Sequence, residues 1–108
     1  MKNDNVYLKQ ILDATGKIKQ FVHGIQHKEF LSDQKTQSAV IMQLALIGEL
    51  AKRISKSTQS SIDLPWKDIA GFRNRAIHDY YQIDVDIVWQ TIIDDLPILE
   101  KVISKHLQ

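Results

Sequence analysis

The fold of this chain is decided by the segment VIMQLALIGELAKRI, which runs from Val40 to Ile54. Its apolar residues recur every three or four positions, the period of a helix with one buried face; they are Val40, Leu44, Ile47, Ala51 and Ile54, with Ile41 and Ala45 widening the stripe. Gly48 lies in the middle of this predicted helix, where glycine costs about 1 kcal/mol relative to alanine. Either another helix approaches closely there or the glycine is merely tolerated, and both interpretations stay open.

A helix is also predicted before this segment. Roughly residues 4–22 carry apolar side chains at helical spacing, and Gly24 behind them favours a helix C-terminus. Ser32 is a suitable N-cap for the helix that contains Val40, and Asp33 is favourably placed against its N-terminal dipole. The polar run 55–61 that follows this second helix is typical of a solvated loop.

Two more helices are predicted further along the chain. Pro65 suits the first position of a third helix, which should reach about Tyr81. Asp84 caps a fourth helix, and Pro97 should kink or split it, leaving residues 98–107 as a last helical segment. Because no stretch alternates with period two, the sequence predicts an all-α fold, an antiparallel bundle of four to five helices in one domain over residues 1–108.

Composition and charge narrow the classes of function. The 108 residues include no cysteine, which excludes disulfides and thiolate chemistry and suits a reducing cytoplasm, the location that we expect. Fourteen basic and thirteen acidic side chains give a net charge of +1, so contact with RNA must depend on a local basic patch. No apolar run approaches the roughly 20 residues that cross a bilayer. Residues 1–4 lack a signal peptide's apolar segment, so we expect no membrane association.

The segment RNRAIHDY, residues 73–80, brings together side chains suited to phosphate chemistry. A histidine can take a proton from a 2′-hydroxyl of RNA or give one to a leaving 5′-oxygen, and an arginine can bind the phosphate and stabilise transition-state charge. On a helical wheel Asn74 and His78 share a face, and Tyr80 returns to within about 20° of Arg73. Arg73 and His78 are about 140° apart, a separation that two protomers sharing one cleft would overcome.

Other basic residues and histidines admit more than one interpretation. Arg75 is expected to form an exposed ion pair with Asp79 and is also a candidate RNA contact. Lys52 and Arg53 either stabilise the C-terminal dipole of the second helix or contact RNA. The spacing of Arg73 and His78 alone is common, so His78 is either a reactive group or a half-buried packing residue. The pair His23 and His27 lacks a third ligand, and we assign no metal and no cofactor.

At these residues the chain resembles the HEPN superfamily, whose ribonucleases carry arginine, four to six residues, and then histidine. More narrowly it resembles the HepT toxins, with the motif Arg-x4-His-x-Tyr, here Arg73, His78 and Tyr80, and with Asn74 matching the usual Arg-Asn start. Segments along the whole chain agree in order with that family: LIGE at 46–49, LPW at 64–66 and VW at 88–89. No motif position departs from the pattern.

The resemblance implies a helical homodimer acting as a metal-independent endoribonuclease, with a composite cleft where the third helices of two protomers meet. Arg73 and His78 would be catalytic, Asn74 would be a supporting polar residue, and cleavage would leave a cyclic phosphate. The family's usual partner is a minimal nucleotidyltransferase antitoxin, MntA-like, which neutralises the toxin by attaching adenylate to the motif tyrosine, here Tyr80. Two rival hypotheses remain open: a non-catalytic helical binding subunit of a nucleotidyltransferase, and a purely structural helical dimer.

Overall fold

A computed structural model describes residues 2–108, with only the backbone of Lys2, so Met1 of the predicted domain 1–108 lies outside it. The described chain is helical and contains no strand, which confirms the all-α prediction. A 3-10 turn, Tyr80–Gln82, follows the fifth helix, and a π-helical turn, Thr91–Asp95, joins the sixth to the seventh. The helices are α1 (Lys2–Phe21), α2 (His27–Ser32), α3 (Gln34–Arg53), α4 (Lys56–Ser61), α5 (Trp66–His78), α6 (Val85–Gln90) and α7 (Leu96–Leu107).

The core lies where α1, α3 and α7 pack together. The predicted stripe of the segment 40–54 is buried along its whole length, which confirms the helical interpretation of that segment; its members are Val40, Ile41, Leu44, Ile47, Ala51 and Ile54. Fully buried side chains of the other helices complete this core, among them Leu8, Ile11, Ile18, Phe30 and Ile103. The long helices therefore follow directly from the apolar period of the sequence.

Two short helices, α2 and α4, were not predicted. Ser32 ends α2 instead of capping the next helix, and the true N-cap of α3 is Asp33, whose carboxylate accepts hydrogen bonds from Thr36 N (3.0 Å) and Oγ1 (2.6 Å). The run 55–61 is not a loop: Ser55 caps α4 by accepting a hydrogen bond from Thr58 N. Such six-residue helices have no long apolar period to reveal them, and tertiary contacts stabilise them.

The irregularity predicted near Pro97 is confirmed; it is a π-helical turn and not a break in the helical path. The N–H of Leu96 donates to the carbonyl of Thr91, five residues earlier, and Pro97 lies in the first turn of α7, where its missing N–H costs no hydrogen bond. Thr91 and Leu96 both have right-handed helical dihedral angles. The backbone from Val85 to Leu107 therefore keeps a helical path through the irregularity.

Gly48 marks the closest approach of α5 to α3. A Cβ atom at Gly48 would lie 2.8 Å from the carbonyl oxygen of Ile69 and 3.1 Å from the Cβ of Arg73. Close approach, not tolerance, therefore explains the glycine. This contact fixes the position of Arg73 against α3, and it brings the candidate site to the surface between the two helices.

Within residues 2–108, every helix is too short or too polar to cross a membrane.

Candidate active site

Helix α5 ends earlier than the sequence predicts. Its last residue is His78, and the backbone turns at Asp79 (φ −128°, ψ 35°) into the 3-10 turn that contains Tyr80. The prediction that the helix reaches Tyr81 is wrong, and so is the helical-wheel direction given to Tyr80. Arg73 and His78 both lie within α5, so the angle of about 140° between them stands.

The guanidinium group of Arg73 is held by two neighbours. Its Nε lies 3.2 Å from Glu49 Oε1 on α3, and its Nη1 donates a hydrogen bond of 3.2 Å to Asn74 Oδ1. The other carboxylate oxygen of Glu49 faces Arg53 Nε at 3.6 Å. A guanidinium has five N–H donors, and the hydrogen bond to Asn74 uses one of them. The Glu49 contact is an ion pair on the Nε side, so the outer edge of the guanidinium, Nη1 and Nη2, keeps donors for a phosphate group.

His78 is exposed at the C-terminal end of α5, which excludes its interpretation as a half-buried packing residue. Across residues 2–108, its imidazole takes part in none of the side-chain hydrogen bonds that are found. Asn74 shares a face of α5 with His78, but its oxygen accepts a hydrogen bond from Arg73. Asn74 therefore supports the arginine, and His78 is free to meet a substrate or a second protomer.

Tyr80 reaches back to α3 and not toward Arg73. Its hydroxyl forms a hydrogen bond of 2.8 Å with Ser38 Oγ, and its ring meets that of Tyr81 edge-on, with centroids 5.6 Å apart. Tyr80 is 38% exposed, whereas Tyr81 is 96% exposed. The candidate modification site is thus partly accessible and oriented by Ser38.

One protomer keeps the Tyr80 hydroxyl and the Arg73 guanidinium apart. Their partners on α3 are Ser38 and Glu49, eleven positions apart in the same helix. At 1.5 Å per residue this separation is about 16 Å along the helix axis. The expectation that Tyr80 lies beside Arg73 is therefore wrong within a protomer, because the break at Asp79 redirects the chain.

The other candidate RNA contacts differ in their surroundings. Arg75 does not pair with Asp79 as predicted; its guanidinium lies over the ring of Phe72, 5.3 Å from the centroid. Arg53 contacts Glu49 and lies 5.9 Å from the ring centre of Tyr7, whereas Lys52 is exposed at the end of α3. Of these three, Arg53 is the one connected to Arg73, through the shared carboxylate of Glu49.

A cavity of about 350 Å³ lies elsewhere, between α5 and α7, and its walls are mostly apolar, with Leu64, Ile69, Phe72 and Leu99 among them. Arg75 is the one candidate residue on its wall; Arg73, Asn74, His78 and Tyr80 are absent from it. We therefore assign the site to the open surface of α5, where the reactive side chains are.

Sequence reasoning missed Glu49 and Ser38 as parts of this site. Glu49 follows Gly48 and lies four residues before Arg53, and this spacing could have indicated an ion pair on the face that another helix approaches. The contact of Ser38 with Tyr80 spans 42 residues, and no local pattern announces it.

Of the two histidines of the α1–α2 region, His23 is exposed and His27 contacts residues of α6. His27 Nε2 lies 2.8 Å from Asp86 Oδ1, and its ring stacks on Trp89 with centroids 5.7 Å apart. Among residues 2–108 no group of three or more histidine or acidic side chains is arranged to hold a metal ion.

The chain is all-α, its Arg73 is held by neighbouring side chains, and an exposed histidine follows five positions later. These features define a class of protein, the helical domains with an arginine–histidine surface site. Comparison with known proteins then identifies the family: residues 11–106 match the family described as "Ribonuclease HepT-like". The chain belongs to the ribonuclease HepT-like family. No solved structure matches it.

Individual relatives agree with this assignment. The chain is 38% identical to "Probable ribonuclease HepT" of Thermococcus cleftensis, over 87% of this chain and 86% of that protein. It is 35% identical to "Putative RNase TTE0752" of Caldanaerobacter subterraneus subsp. tengcongensis, over 100% of this chain and 97% of that protein. It is also 35% identical to "Putative RNase MJ0127" of Methanocaldococcus jannaschii, over 89% and 80% of the two chains.

Proposed function

We propose that this protein is a metal-independent endoribonuclease toxin of the cytoplasm that acts as a homodimer and is neutralised by adenylylation of Tyr80. The observation that carries the proposal is the arrangement of Arg73 and His78 in a member of a ribonuclease family. Arg73 is held by Glu49 and Asn74 with donors to spare, and His78 is exposed on the same helix.

The chemistry needs a base, an acid and a cation at one phosphate. A neutral imidazole removes the proton from a ribose 2′-hydroxyl, and the oxygen attacks the adjacent phosphorus. The bond from phosphorus to the 5′-oxygen breaks, and a protonated imidazole supplies the proton to that oxygen. The products are a 2′,3′-cyclic phosphate and a free 5′-hydroxyl. Arg73 stabilises the added negative charge on the phosphate as the fifth bond forms.

A dimer would supply the two imidazoles that this reaction uses. Met42, Leu46 and Glu49 share one face of α3, and Arg73 and Ile77 share one face of α5. Met42 (65%), Leu46 (42%) and Ile77 (54%) are exposed apolar side chains beside the Glu49–Arg73 pair. Covering these side chains with a second copy would place two α5 helices together, and would bring His78 of each protomer to one cleft.

The first experiment measures cleavage of end-labelled single-stranded RNA and tRNA in EDTA by the wild type, by His78→Ala and by the control His106→Ala. His106 is an exposed histidine of α7. We expect cleavage by the wild type and the control, and a loss of about 10²- to 10⁴-fold in His78→Ala, because general acid–base catalysis is removed. Equal rates for His78→Ala and the wild type would contradict the site.

The shared cleft has its own test. The wild type at a fixed amount is mixed with increasing amounts of the double variant Arg73→Ala/His78→Ala under conditions that exchange protomers. If the cleft needs one imidazole from each protomer, a mixed dimer has only one and is inactive, so cleavage falls as the double variant is added. If cleavage stays constant while sedimentation shows mixed dimers, each protomer acts alone.

Neutralisation would be supported by the position of Tyr80. The tyrosine is partly exposed. An adenylate attached to it would place a bulky anionic group at the entrance to the proposed cleft. The enzyme that attaches it would be a minimal nucleotidyltransferase using ATP, which transfers AMP to the phenol oxygen and releases pyrophosphate. The modification would therefore block access of RNA, or disturb the dimer, without touching Arg73 of the same chain.

Tyr81 provides the matched control for this modification. Wild type, Tyr80→Phe and Tyr81→Phe are incubated with such a nucleotidyltransferase and ATP, and peptide masses are measured. We expect adenylate on the wild type and Tyr81→Phe and none on Tyr80→Phe. Adenylate on Tyr81, the more exposed phenol, would show that the assignment to Tyr80 is wrong. Adenylate uptake by a wild type without ribonuclease activity would favour the binding-subunit hypothesis.

A further inference from the structure

We infer that Glu49 is the positioning residue for Arg73: its carboxylate holds Nε so that the outer edge of the guanidinium faces the RNA phosphate. This inference rests on the proposed ribonuclease function and adds a residue from a different helix to its site. Glu49 would touch neither the phosphate nor the reacting oxygens. It would act through Arg73 alone.

The geometry on both sides of Glu49 supports this role. Oε1 lies 3.2 Å from Arg73 Nε, and Oε2 lies 3.6 Å from Arg53 Nε, so each carboxylate oxygen faces one arginine. Arg53 lies against the ring of Tyr7 on α1. The carboxylate therefore connects Arg73, on a helix without buried residues, to the two helices that form the core.

The backbone also places Glu49 where it can reach Arg73. At Gly48 a Cβ would lie 3.1 Å from the Arg73 Cβ and 3.2 Å from the Arg73 backbone nitrogen, so the two helices nearly touch there. The next residue of α3 is Glu49, and its short side chain meets the near edge of the arginine. A larger separation between the helices would leave Nε unpaired.

The choice of Nε as the anchored atom has a chemical consequence. A guanidinium binds a phosphate in a forked manner through two parallel N–H groups. Glu49 forms an ion pair on the Nε side and Asn74 accepts one Nη1 proton, so the free donors of the outer edge are the second Nη1 proton and both protons of Nη2. These protons form the outer fork, and a rotation of the guanidinium would be needed to present any other edge.

A carboxylate beside a cation also lowers the attraction of the site for RNA. Glu49 is about one third exposed, so water screens the pair, but its negative charge still opposes binding of a phosphate. The two effects of Glu49 therefore have opposite signs: holding Arg73 raises kcat, whereas its charge raises KM. Two substitutions separate these effects. Glu49→Gln keeps an oxygen that can accept from Nε and removes the charge, and Glu49→Ala removes both.

The test compares kcat and KM of the wild type, Glu49→Gln and Glu49→Ala on a short single-stranded RNA in EDTA, with Asp13→Ala as the control. Asp13 pairs with Lys17 on α1 in an exposed contact of 3.5 Å. We expect KM to fall in both Glu49 variants. We expect kcat to fall by about tenfold or more in Glu49→Ala, because Arg73 loses its fixed geometry, and to stay close to wild type in Glu49→Gln.

Two kinetic results would overturn the inference. A higher kcat in Glu49→Ala would mean that Glu49 restrains Arg73 instead of positioning it. An equal loss of kcat in Glu49→Gln and Glu49→Ala would mean that the charge matters and the held geometry does not. Thermal unfolding of each variant is measured alongside, and loss of activity through unfolding would lower kcat without the fall in KM.

A second measurement works even if the wild type does not cleave RNA. The Nε–Hε signal of Arg73, assigned with Arg73→Lys, is followed by NMR in the wild type and both Glu49 variants. A resolved, slowly exchanging signal in the wild type and Glu49→Gln, lost in Glu49→Ala, supports the held guanidinium independently of activity. A signal that is the same in all three proteins refutes it.

Discussion

Helices α3 and α5 pack closely against each other, yet they differ in how deeply their residues are buried. α3 contains seven buried residues, from Val40 to Ala51, whereas α5 contains none in its thirteen positions. α3 packs against α1 on one side and α5 on the other, so it is the layer that joins the core to the site. The buried residues are concentrated in α1 and α3, and the candidate catalytic side chains Arg73 and His78 lie on α5.

This contrast explains how a chain of this size carries an exposed site. α5 has no fully buried residue, and its apolar side chains are only partly buried against the core; they are Trp66, Ile69, Phe72 and Ala76. It therefore buries less apolar surface than α1 or α3, and its exposed face is open to chemistry. Its position is fixed instead by a short stretch of α3, Gly48 and Glu49, and by the Ser38–Tyr80 hydrogen bond near its end. Substitutions on α5 should therefore change activity more than stability, and substitutions in the core should do the opposite.

The largest effect is expected on catalytic activity, from a substitution on α5. Arg73→Ala should lower kcat/KM for RNA by about 10²- to 10³-fold, since a preorganised donor to the transition state is lost. The melting temperature should change by a few degrees at most, because the Arg73 side chain is not part of the buried core. Lys67→Ala, at an exposed position in the first turn of α5, is the control and should cleave like the wild type.

The complementary substitution in the core should affect stability alone. Ile11 is fully buried on α1, and Ile11→Ala should lower the free energy of unfolding by about 2–5 kcal/mol through lost burial and a cavity. Chemical denaturation with urea measures this change. At low temperature, the folded molecules of the Ile11→Ala variant should have the same kcat as the wild type. A core variant that unfolds no more easily than the wild type would show that the buried face of α1 is not the source of stability.

The contact between the two helices is tested with glycine. Gly48→Ala places a Cβ 2.8 Å from the Ile69 carbonyl, and the strain should cost about 1–3 kcal/mol and move Arg73 away from Glu49. Gly16→Ala on α1 meets nothing within 4 Å and should stabilise the helix by up to about 1 kcal/mol. Urea denaturation and RNA cleavage are measured for both. If both alanines stabilise the protein, the close approach at Gly48 is wrong.

An effect of similar size that depends on pH concerns Asp4, a buried carboxylate that joins α1 to α4. Hydrogen bonds from the side chains of Ser55 and Thr58 lower the pKa of Asp4 from 3.8 to about 2. A lowered pKa means that the folded protein binds this proton less readily than the unfolded chain does. The associated stabilisation is present above about pH 4 and is lost as the pH falls toward 2.

Asp4→Asn should therefore lower stability at pH 7 by about 1–3 kcal/mol, because the amide accepts fewer of these hydrogen bonds. The difference between variant and wild type should shrink between pH 4 and pH 2. Urea denaturation at several pH values measures it. A difference that does not depend on pH would show that the Asp4 charge does not contribute.

The sequence by itself determined the all-α class, the buried stripe of α3 and the irregularity near Pro97. These features depend on local period and on a residue without an N–H, so no distant contact is needed to predict them. The motif residues Arg73 and His78 could also be identified from the sequence, because their types and spacing are local properties that match a known family.

Only the tertiary structure decided what holds those residues. Three features depend on contacts between residues far apart in the chain: α5 ends at His78, Tyr80 has its partner on α3, and Glu49 pairs with Arg73. The short helices α2 and α4 likewise depend on caps and tertiary hydrogen bonds, such as those from Ser55 and Thr58 to Asp4. The physical reason is the range of the interactions. A periodic pattern of nearby residues specifies a helix, whereas a side chain is held only where two helices meet at a particular residue.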